Sequence, residues 1–219
     1  MLSEILYAQT VSLWEEAADK PFVTGMALGT LDQRRFRHYM LQDYLYLLDY
    51  IDILSCILEL TSDPDLNSFL RDVIEETRKE AERVHISNLR ETGFEEKELL
   101  NCAREDVIVE YLAYMKRQLK EEGLLGGLTA LLQCSWVYAY IGQTVKDRYP
   151  GEVARSPFRD WFDAYTCEEY LLCNQRWIDV LNREAAEISP NERDRLCTVF
   201  KKCAEYENRL WDRLYEVPV

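Results

Sequence analysis

The sequence predicts an all-α protein, folded as a single bundle-like domain over residues 1–219. Apolar residues recur at helical spacing along most of the chain, and no run alternates apolar and polar residues long enough to form a convincing strand. Glycine and proline are few, at 8 and 6 residues, and no linker, repeat or low-complexity segment interrupts the chain. A chain of 219 residues is long enough to bury one sizeable core.

Start and stop signals place the helices in order. The first begins near Leu2 and ends before the Asp19-Lys20-Pro21 breaker. The second begins after Asp32, which has the side chain of an N-cap, and ends at Leu60. The third begins after Asp63, with Pro64 in its first turn, and ends near Arg90. The remaining predicted helices cover about 97–122, ending at Gly123, then 124–146, then 158–187 as one or two helices, and 191–215 after Ser189-Pro190-Asn191-Glu192.

The charge and the cysteines restrict the class of protein. A formal net charge of −14 argues against nucleic acids and anionic membrane surfaces as partners, because both bind a basic face. Seven cysteines form an odd set without C-x-x-C, and the first residues lack the pattern of a signal peptide. We therefore expect a cytoplasmic protein whose thiols are free, with the cysteines mostly buried.

One segment has the length of a membrane span. Residues 124–142 carry no charge, and the segment has about the length that a bilayer crossing requires. They also contain Gln133, Thr129, Ser135 and three glycines, and no other segment of the chain is comparable. We interpret the segment as a central helix buried on most sides of a protein without a membrane partner.

Two predicted helices turn a carboxylate towards the core. In the second helix an apolar stripe has its missing member at Asp43, between Met40 and Leu47. In the last helix the stripe has its missing member at Glu207. A buried carboxylate costs several kcal/mol unless it is paired or neutralised. Each residue alone fits a core ion pair about as well as a pocket, but the two together favour a pocket.

A cysteine on the uncharged helix adds a nucleophile to this pair. Cys134 is followed by Trp136, Tyr138 and Tyr140, and two explanations are open. The cysteine packs in the core, as free cysteines usually do, or it faces a pocket that the aromatic rings line. Tyr138 lies on the same helix face as Cys134, at i+4, and Tyr46 lies at i+3 from Asp43.

Aromatic side chains, two carboxylates and a thiol would suit a small planar heteroaromatic compound with ring nitrogens and an exocyclic amine. The carboxylates would bind the ring nitrogen and the amine, and the thiol would attack an electron-poor ring carbon.

A metal site is not expected. Glu82-x-x-His85 has the spacing of di-iron bundles, but those need a second copy, and Arg35 stands where His38 would require a glutamate.

Four segments of the chain resemble the TenA/thiaminase II family. They are "FVTG" (22–25), "GTLDQRRFRHYMLQDYLYL" (29–47), "QCSWVYAYIG" (133–142) and "EYENRLW" (205–211), and their order and spacing match over nearly the whole chain. The resemblance implies a fold similar to haem oxygenase, a homotetramer and no cofactor. It also implies hydrolysis of 4-amino-5-aminomethyl-2-methylpyrimidine, and of thiamin in many members, to 4-amino-5-hydroxymethyl-2-methylpyrimidine for thiamin salvage.

The resemblance assigns roles to individual residues. Cys134 matches the catalytic cysteine that adds to C6 of the pyrimidine and places the chain in the cysteine-bearing branch. Glu207 matches the essential glutamate that acts on ring N1, and Asp43 matches the carboxylate that holds the amino group. The pocket tyrosines, which position the ring and polarise the thiol, match Tyr46, Tyr111, Tyr138 and Tyr165. Between these segments, "RSPFRDWFDAYTCEEY" departs from the commoner Tyr-Gly-Gly form, which affects substrate preference and the placement of Tyr165.

Two other functions stay open. A protein that binds a pyrimidine or thiamin without catalysis, for regulation, would bind its ligand tightly and show no turnover. A haem or di-iron oxidase of the related fold would be coloured and would contain metal. The thiol argues against the first, because binding alone does not need a nucleophile, and the missing second Glu-x-x-His argues against the other. Buried Glu207 should also have a raised pKa, as a general acid requires.

Overall fold

The computed structural model describes residues 1–81 and 102–218. No strand occurs in these two ranges, so the all-α prediction is confirmed. Their helices are α1 Leu2–Asp19, α2 Pro21–Ala27, α3 Gln33–Leu60, α4 Pro64–Lys79, α5 Asp106–Arg148, α6 Pro150–Val153, α7 Arg159–Thr166, α8 Glu168–Glu184 and α9 Pro190–Glu216.

The predicted caps begin three of these helices. The side chain of Asp32 accepts a hydrogen bond from the Arg34 N–H at 2.8 Å at the start of α3. Asp63 does the same at α4, where two backbone N–H groups donate to it at 2.8 and 2.9 Å. At α9, Ser189 forms a capping box with Glu192. A cap of this kind satisfies backbone donors that the first helical turn leaves without a helical partner.

Gly123 interrupts α5, as the sequence predicts. Its backbone angles are φ 63° and ψ −147° inside an otherwise helical run. A residue with a Cβ would be strained in this conformation, whereas glycine adopts it readily. Gly123 therefore divides α5 into an N-terminal half and a more apolar C-terminal half, which carries Cys134.

Some boundaries differ from the prediction. The short helices α2 and α6 lie in segments predicted as non-helical, because seven and four residues are too few to show a helical period. Over 158–187, where the sequence predicts one or two helices, the structure has two, α7 and α8, separated by the extended backbone of Cys167, with φ −68° and ψ 157°.

The start predicted near residue 97 is also wrong within the described chain, because residues 102–105 are not helical. There the side chain of Gln42 donates to the carbonyl of Ala103 and accepts from the N–H of Glu105, both at 2.9 Å. These bonds replace helical ones. The predicted end of the third helix near Arg90 lies outside the described residues.

The chain forms two compact units, and the prediction of a single domain stays a prediction. The terminal unit comprises Met1–Leu31 and Leu128–Pro218, and the middle unit comprises Asp32–Gly127. In the terminal unit α1 packs mainly on α9 and also contacts α2 and α8. In the middle unit α3 packs on α4.

Helix α5 is the one helix of the described ranges that is long and apolar enough to cross a membrane by length and composition. Of its most apolar stretch, 67% is buried inside the protein. The core helix of a soluble protein has the same properties. This agrees with the interpretation of residues 124–142 as a central buried helix.

Candidate functional site

Cys134 is half-buried on the C-terminal half of α5. The preceding residues Leu132 and Gln133 are completely buried, whereas Cys134, Ser135 and Trp136 each keep part of their surface exposed. A thiol in this position is held by its helix and can still be reached by a small molecule. Cys197 and Cys203, by contrast, are buried.

Three aromatic rings contact Tyr138, one turn after Cys134, and a fourth, that of Tyr170, contacts one of the three; we call these five residues the site cluster. The ring centroid of Tyr138 lies 4.9 Å from that of Tyr165, 5.9 Å from Trp161 and 5.6 Å from Trp211. Tyr165 in turn contacts Tyr170 edge to face at 5.1 Å. The site cluster thus joins α5 to α7, α8 and α9, and three of its five members carry a hydroxyl.

Glu207 lies on α9, one turn before Trp211, and only 1% of it is exposed. Tyr138 and Trp211 contact each other. Cys134 lies one helical turn before Tyr138, and Glu207 lies one helical turn before Trp211. A carboxyl group buried this deeply favours its neutral form unless hydrogen bonds or charges stabilise the anion. The terminal unit thus has a half-buried thiol and a buried carboxyl group on contacting helices.

Helix α8 adds polar contacts that the sequence prediction missed. The hydroxyl of Tyr170 donates to the backbone carbonyl of Ser135 at 3.0 Å, and the Ser135 hydroxyl donates to Oδ1 of Asn174 at 3.0 Å. Asn174 is buried and precedes the buried Trp177 and Leu181 by three and seven residues. The test that identified Asp43 and Glu207, a polar residue on an apolar stripe, would have found Asn174 too.

Trp136 and Tyr140 are not members of the site cluster, so among the three aromatic residues that follow Cys134 only Tyr138 belongs to it. They contact Trp14 of α1, with ring centroids at 5.2 Å and 5.4 Å. Their position follows from helical geometry, because residues two apart point in nearly opposite directions. We call this second group the α1 cluster; its members are Tyr7, Trp14, Trp136, Tyr140 and Phe200.

The other predicted site residues lie in the middle unit. Asp43 is 8% exposed, and the hydroxyl of Tyr39 donates to its Oδ2 at 3.4 Å. The rings of Tyr46 and Tyr111 stack with centroids 6.1 Å apart. The Tyr46 hydroxyl lies 4.0 Å from the sulfur of Met115. The structure thus groups Cys134, Tyr138, Tyr165 and Glu207 in one unit and Asp43, Tyr46 and Tyr111 in the other.

The remaining cysteines are less buried than expected. All seven are free thiols, but among the six others only Cys197 and Cys203 are buried. Cys56 and Cys167 are exposed. In residues 1–81 and 102–218, no three His, Cys, Asp or Glu side chains are grouped closely enough to hold a metal ion. His85 lies outside these residues.

Comparison with known proteins identifies a family over nearly the whole chain. Residues 7–217 match the model of the TENA/THI-4/PQQC family. Two curated relatives are each named aminopyrimidine aminohydrolase. The relative from Helicobacter pylori is 28% identical over 219 residues, covering 98% of this chain and 99% of the relative. That from Halalkalibacterium halodurans is 28% identical over 210 residues, covering 96% and 93%.

A solved structure supports the fold. A domain of unknown function with a heme oxygenase-like fold, from Shewanella denitrificans, superposes with a TM-score of 0.74 at 15% identity. The superposition covers 99% of this chain and 92% of that domain. The expected similarity to the haem oxygenase fold is confirmed.

Proposed function

Since this chain belongs to the TENA/THI-4/PQQC family, we propose that it hydrolyses aminopyrimidines derived from thiamin. The substrate is 4-amino-5-aminomethyl-2-methylpyrimidine, and the products are the 5-hydroxymethyl pyrimidine and ammonia. Thiamin, which carries a thiazolium leaving group at the same carbon, is a second substrate. The two full-length relatives named aminopyrimidine aminohydrolase support the reaction class.

The observation that carries the proposal is the thiol and the carboxyl group of the terminal unit. Cys134 is half-buried beside an aromatic cluster, and Glu207 is buried one turn before Trp211 of the same cluster. A protein that only binds an aromatic ring needs the rings but not the thiol. Addition of a thiolate followed by elimination divides one difficult displacement into two easier steps.

The reaction begins when the Cys134 sulfur adds to C6 of the pyrimidine. Glu207 gives a proton or a hydrogen bond to ring N1, which makes the ring electrophilic and stabilises the adduct. The electron pair gained by the ring then expels the amine from the 5-methylene carbon, and the amine leaves with a proton as ammonia. Water adds to the exocyclic methylene, and loss of the Cys134 sulfur restores the aromatic ring.

The tyrosines position the ring in this mechanism. Tyr138 and Tyr165 belong to the site cluster and present an apolar ring face together with a hydroxyl. As the family resemblance implies, we propose that Asp43 binds the amino group of the substrate. Tyr46 and Tyr111 have a further substrate-binding role. Substitution of Asp43 by asparagine tests this assignment separately, since a binding role predicts a raised KM.

The same resemblance predicts a homotetramer, and the odd set of cysteines predicts a cytoplasmic location. Analytical ultracentrifugation tests the assembly, and fractionation of the source cells tests the location. Neither result bears on the chemistry of the site, which is tested by turnover.

The decisive experiment compares wild type with Cys134→Ala on the 5-aminomethyl pyrimidine and on thiamin. We expect turnover by wild type and its loss in Cys134→Ala, with ligand binding retained. Cys173→Ala is the matched control, because Cys173 is also half-buried in the terminal unit and has no role in the mechanism. Binding of both compounds by wild type without turnover would overturn the proposal in favour of a binding protein.

A further inference from the structure

Helix α8 contacts the backbone of α5 at the residue that follows Cys134. The Tyr170 hydroxyl donates to the carbonyl oxygen of Ser135 at 3.0 Å, although that residue belongs to a continuous helix. A carbonyl oxygen has two lone pairs, so it can accept from the helix and from a side chain at once. We propose that Tyr170 is a positioning residue that holds the Cys134 thiol in its reactive orientation.

Two further hydrogen bonds connect Ser135, Asn174 and Tyr170 into one network. The Ser135 hydroxyl donates to Oδ1 of Asn174 at 3.0 Å. The Asn174 side-chain amide donates through Nδ2 to the carbonyl of Tyr170 at 3.1 Å. Ser135 is therefore held from α8 at both its main chain and its side chain. Rotation of α5 about its axis, which would carry Cys134 with it, breaks both contacts.

The ring of Tyr170 connects the same contact to the site cluster. It packs edge to face on Tyr165 with centroids 5.1 Å apart, and Tyr165 packs on Tyr138 at 4.9 Å. Tyr138 lies one turn after Cys134 on α5. The chain of contacts starts beside the thiol, passes through α8 and α7, and returns to the thiol's helix. Tyr170 thus binds the main chain at Ser135 through its hydroxyl and packs against the Tyr165 ring through its own ring.

The inference rests on the proposed function. It assigns one role to the hydroxyl of Tyr170 and another to its ring, and a single substitution separates the two. Tyr170→Phe removes the bond to the Ser135 carbonyl and keeps the ring against Tyr165. The rings of the site cluster keep their places, while Ser135, beside the thiol, loses one of its two hydrogen bonds to α8. Because misplacement of a reacting group slows the chemical step more than binding, we expect kcat to fall about tenfold with KM within about twofold of wild type.

The test measures kcat and KM of Tyr170→Phe and, independently, the rate at which iodoacetamide alkylates Cys134. Mass spectrometry of the peptide containing Cys134 separates its signal from those of the other cysteines. We expect a changed alkylation rate at Cys134 and an unchanged rate at Cys173. Tyr149→Phe removes a hydroxyl elsewhere in the terminal unit and is expected to match wild type in both measurements. Asn174→Leu should produce the same kinetic pattern, because it removes the other hold on Ser135.

The two readouts keep this inference separable from the proposed function. If wild type turns over neither pyrimidine, the proposed function fails, and the alkylation rate alone decides whether Tyr170 controls the thiol. If wild type is active and Tyr170→Phe keeps both its kcat and its Cys134 alkylation rate, the positioning role is wrong. A fall in kcat that is matched by lost thermal stability, with Cys134 alkylated as in wild type, also overturns it.

Discussion

The two faces of the C-terminal half of α5 carry similar aromatic residues and differ in what surrounds them. Tyr138 lies in the site cluster, one turn after Cys134 on its own helix, and contacts Trp211, which lies one turn after Glu207 on α9. Trp136 and Tyr140, on the opposite face, lie in the α1 cluster around the completely buried Trp14. The site face combines rings and hydroxyls with the half-buried thiol of Cys134, whereas the α1 cluster consists of rings and two tyrosine hydroxyls.

The difference indicates that a stretch of aromatic residues does not by itself identify a site. Both faces bury large rings, and ring burial stabilises a protein wherever it occurs. What distinguishes the site face is the set of buried or half-buried groups that can transfer protons or form bonds. Substitutions on the site face should therefore change the kinetics, whether or not they also change stability, and those in the α1 cluster should change only the free energy of unfolding.

After the loss of turnover expected in Cys134→Ala, the largest effect on the rate is expected at Glu207. Glu207→Gln keeps the size of the side chain and removes its exchangeable acid proton, so kcat should fall by a factor of about 10² to 10⁴. The limb of the pH–rate profile that reports this acid should disappear, while thermal stability stays near that of wild type. Glu205→Gln is the control, since Glu205 lies on the same helix and pairs with Lys202 at 2.9 Å. An unchanged pH–rate profile in Glu207→Gln would count against the general acid.

The largest effect on stability is expected at Trp14. Trp14→Ala removes the ring at the centre of the α1 cluster and should lower the free energy of unfolding by about 3–5 kcal/mol. Tyr7→Ala, in the same cluster but 38% exposed, should cost about 1 kcal/mol. Urea unfolding measures both. If Trp14→Ala loses kcat in its folded fraction and keeps its stability, the division of roles between the two faces is wrong.

Most of the fold was predictable because helix signals are local. The caps at Asp32, Asp63 and Ser189 and the interruption at Gly123 all occur where the sequence places them. The errors arose where distant residues decide the backbone. Residues 102–105 bind the side chain of Gln42, about sixty positions earlier, and nothing in their own sequence predicts that partner.

The burial of Asp43 and Glu207 was also predictable, because a polar residue on an apolar stripe is visible in one helix alone. The split of Trp136 and Tyr140 from Tyr138 was visible in principle from the helical step. What they contact was not, since Trp14 lies more than a hundred residues away in the sequence. The contacts of Ser135 with Asn174 and Tyr170 likewise depend on how α8 packs on α5.

A smaller effect is expected where α7 approaches the site face of α5. A Cβ added to Gly142 would lie 2.8 Å from Cγ2 of Thr166 and 3.6 Å from the Cβ of Tyr165. Thr166 cannot rotate away cheaply, because its hydroxyl donates to the Phe162 carbonyl at 2.7 Å and accepts from Lys146 at 2.9 Å. Gly142→Ala should therefore displace Tyr165, lower the unfolding free energy by about 1–3 kcal/mol and raise KM.

A second substitution sharpens this test. Thr166→Ser keeps the hydroxyl and removes the methyl group that the new Cβ would meet. The double variant Gly142→Ala, Thr166→Ser should recover most of the stability and of the KM, and Gly151→Ala, with its nearest neighbour at 3.6 Å, should cost little. If the double variant recovers neither stability nor KM, the contact with the Thr166 methyl group is not the cause of the loss in Gly142→Ala.

The smallest expected effect is a pH dependence in the α1 cluster. Burial raises the pKa of Tyr140 above its ordinary value of 10.0, and a hydrogen bond with Thr144 opposes this shift. Because the folded protein holds the phenol proton more tightly than the unfolded chain, this contribution to stability is complete below about pH 10 and is lost as the pH rises through the raised pKa. Tyr140→Phe should therefore lose stability less steeply than wild type as the pH rises above about 10 in urea unfolding. Tyr215→Phe, at an exposed tyrosine, should follow wild type. Equal slopes for Tyr140→Phe and wild type would mean that Tyr140 ionises as easily in the folded protein as in the unfolded chain, and that its face of α5 is open to water.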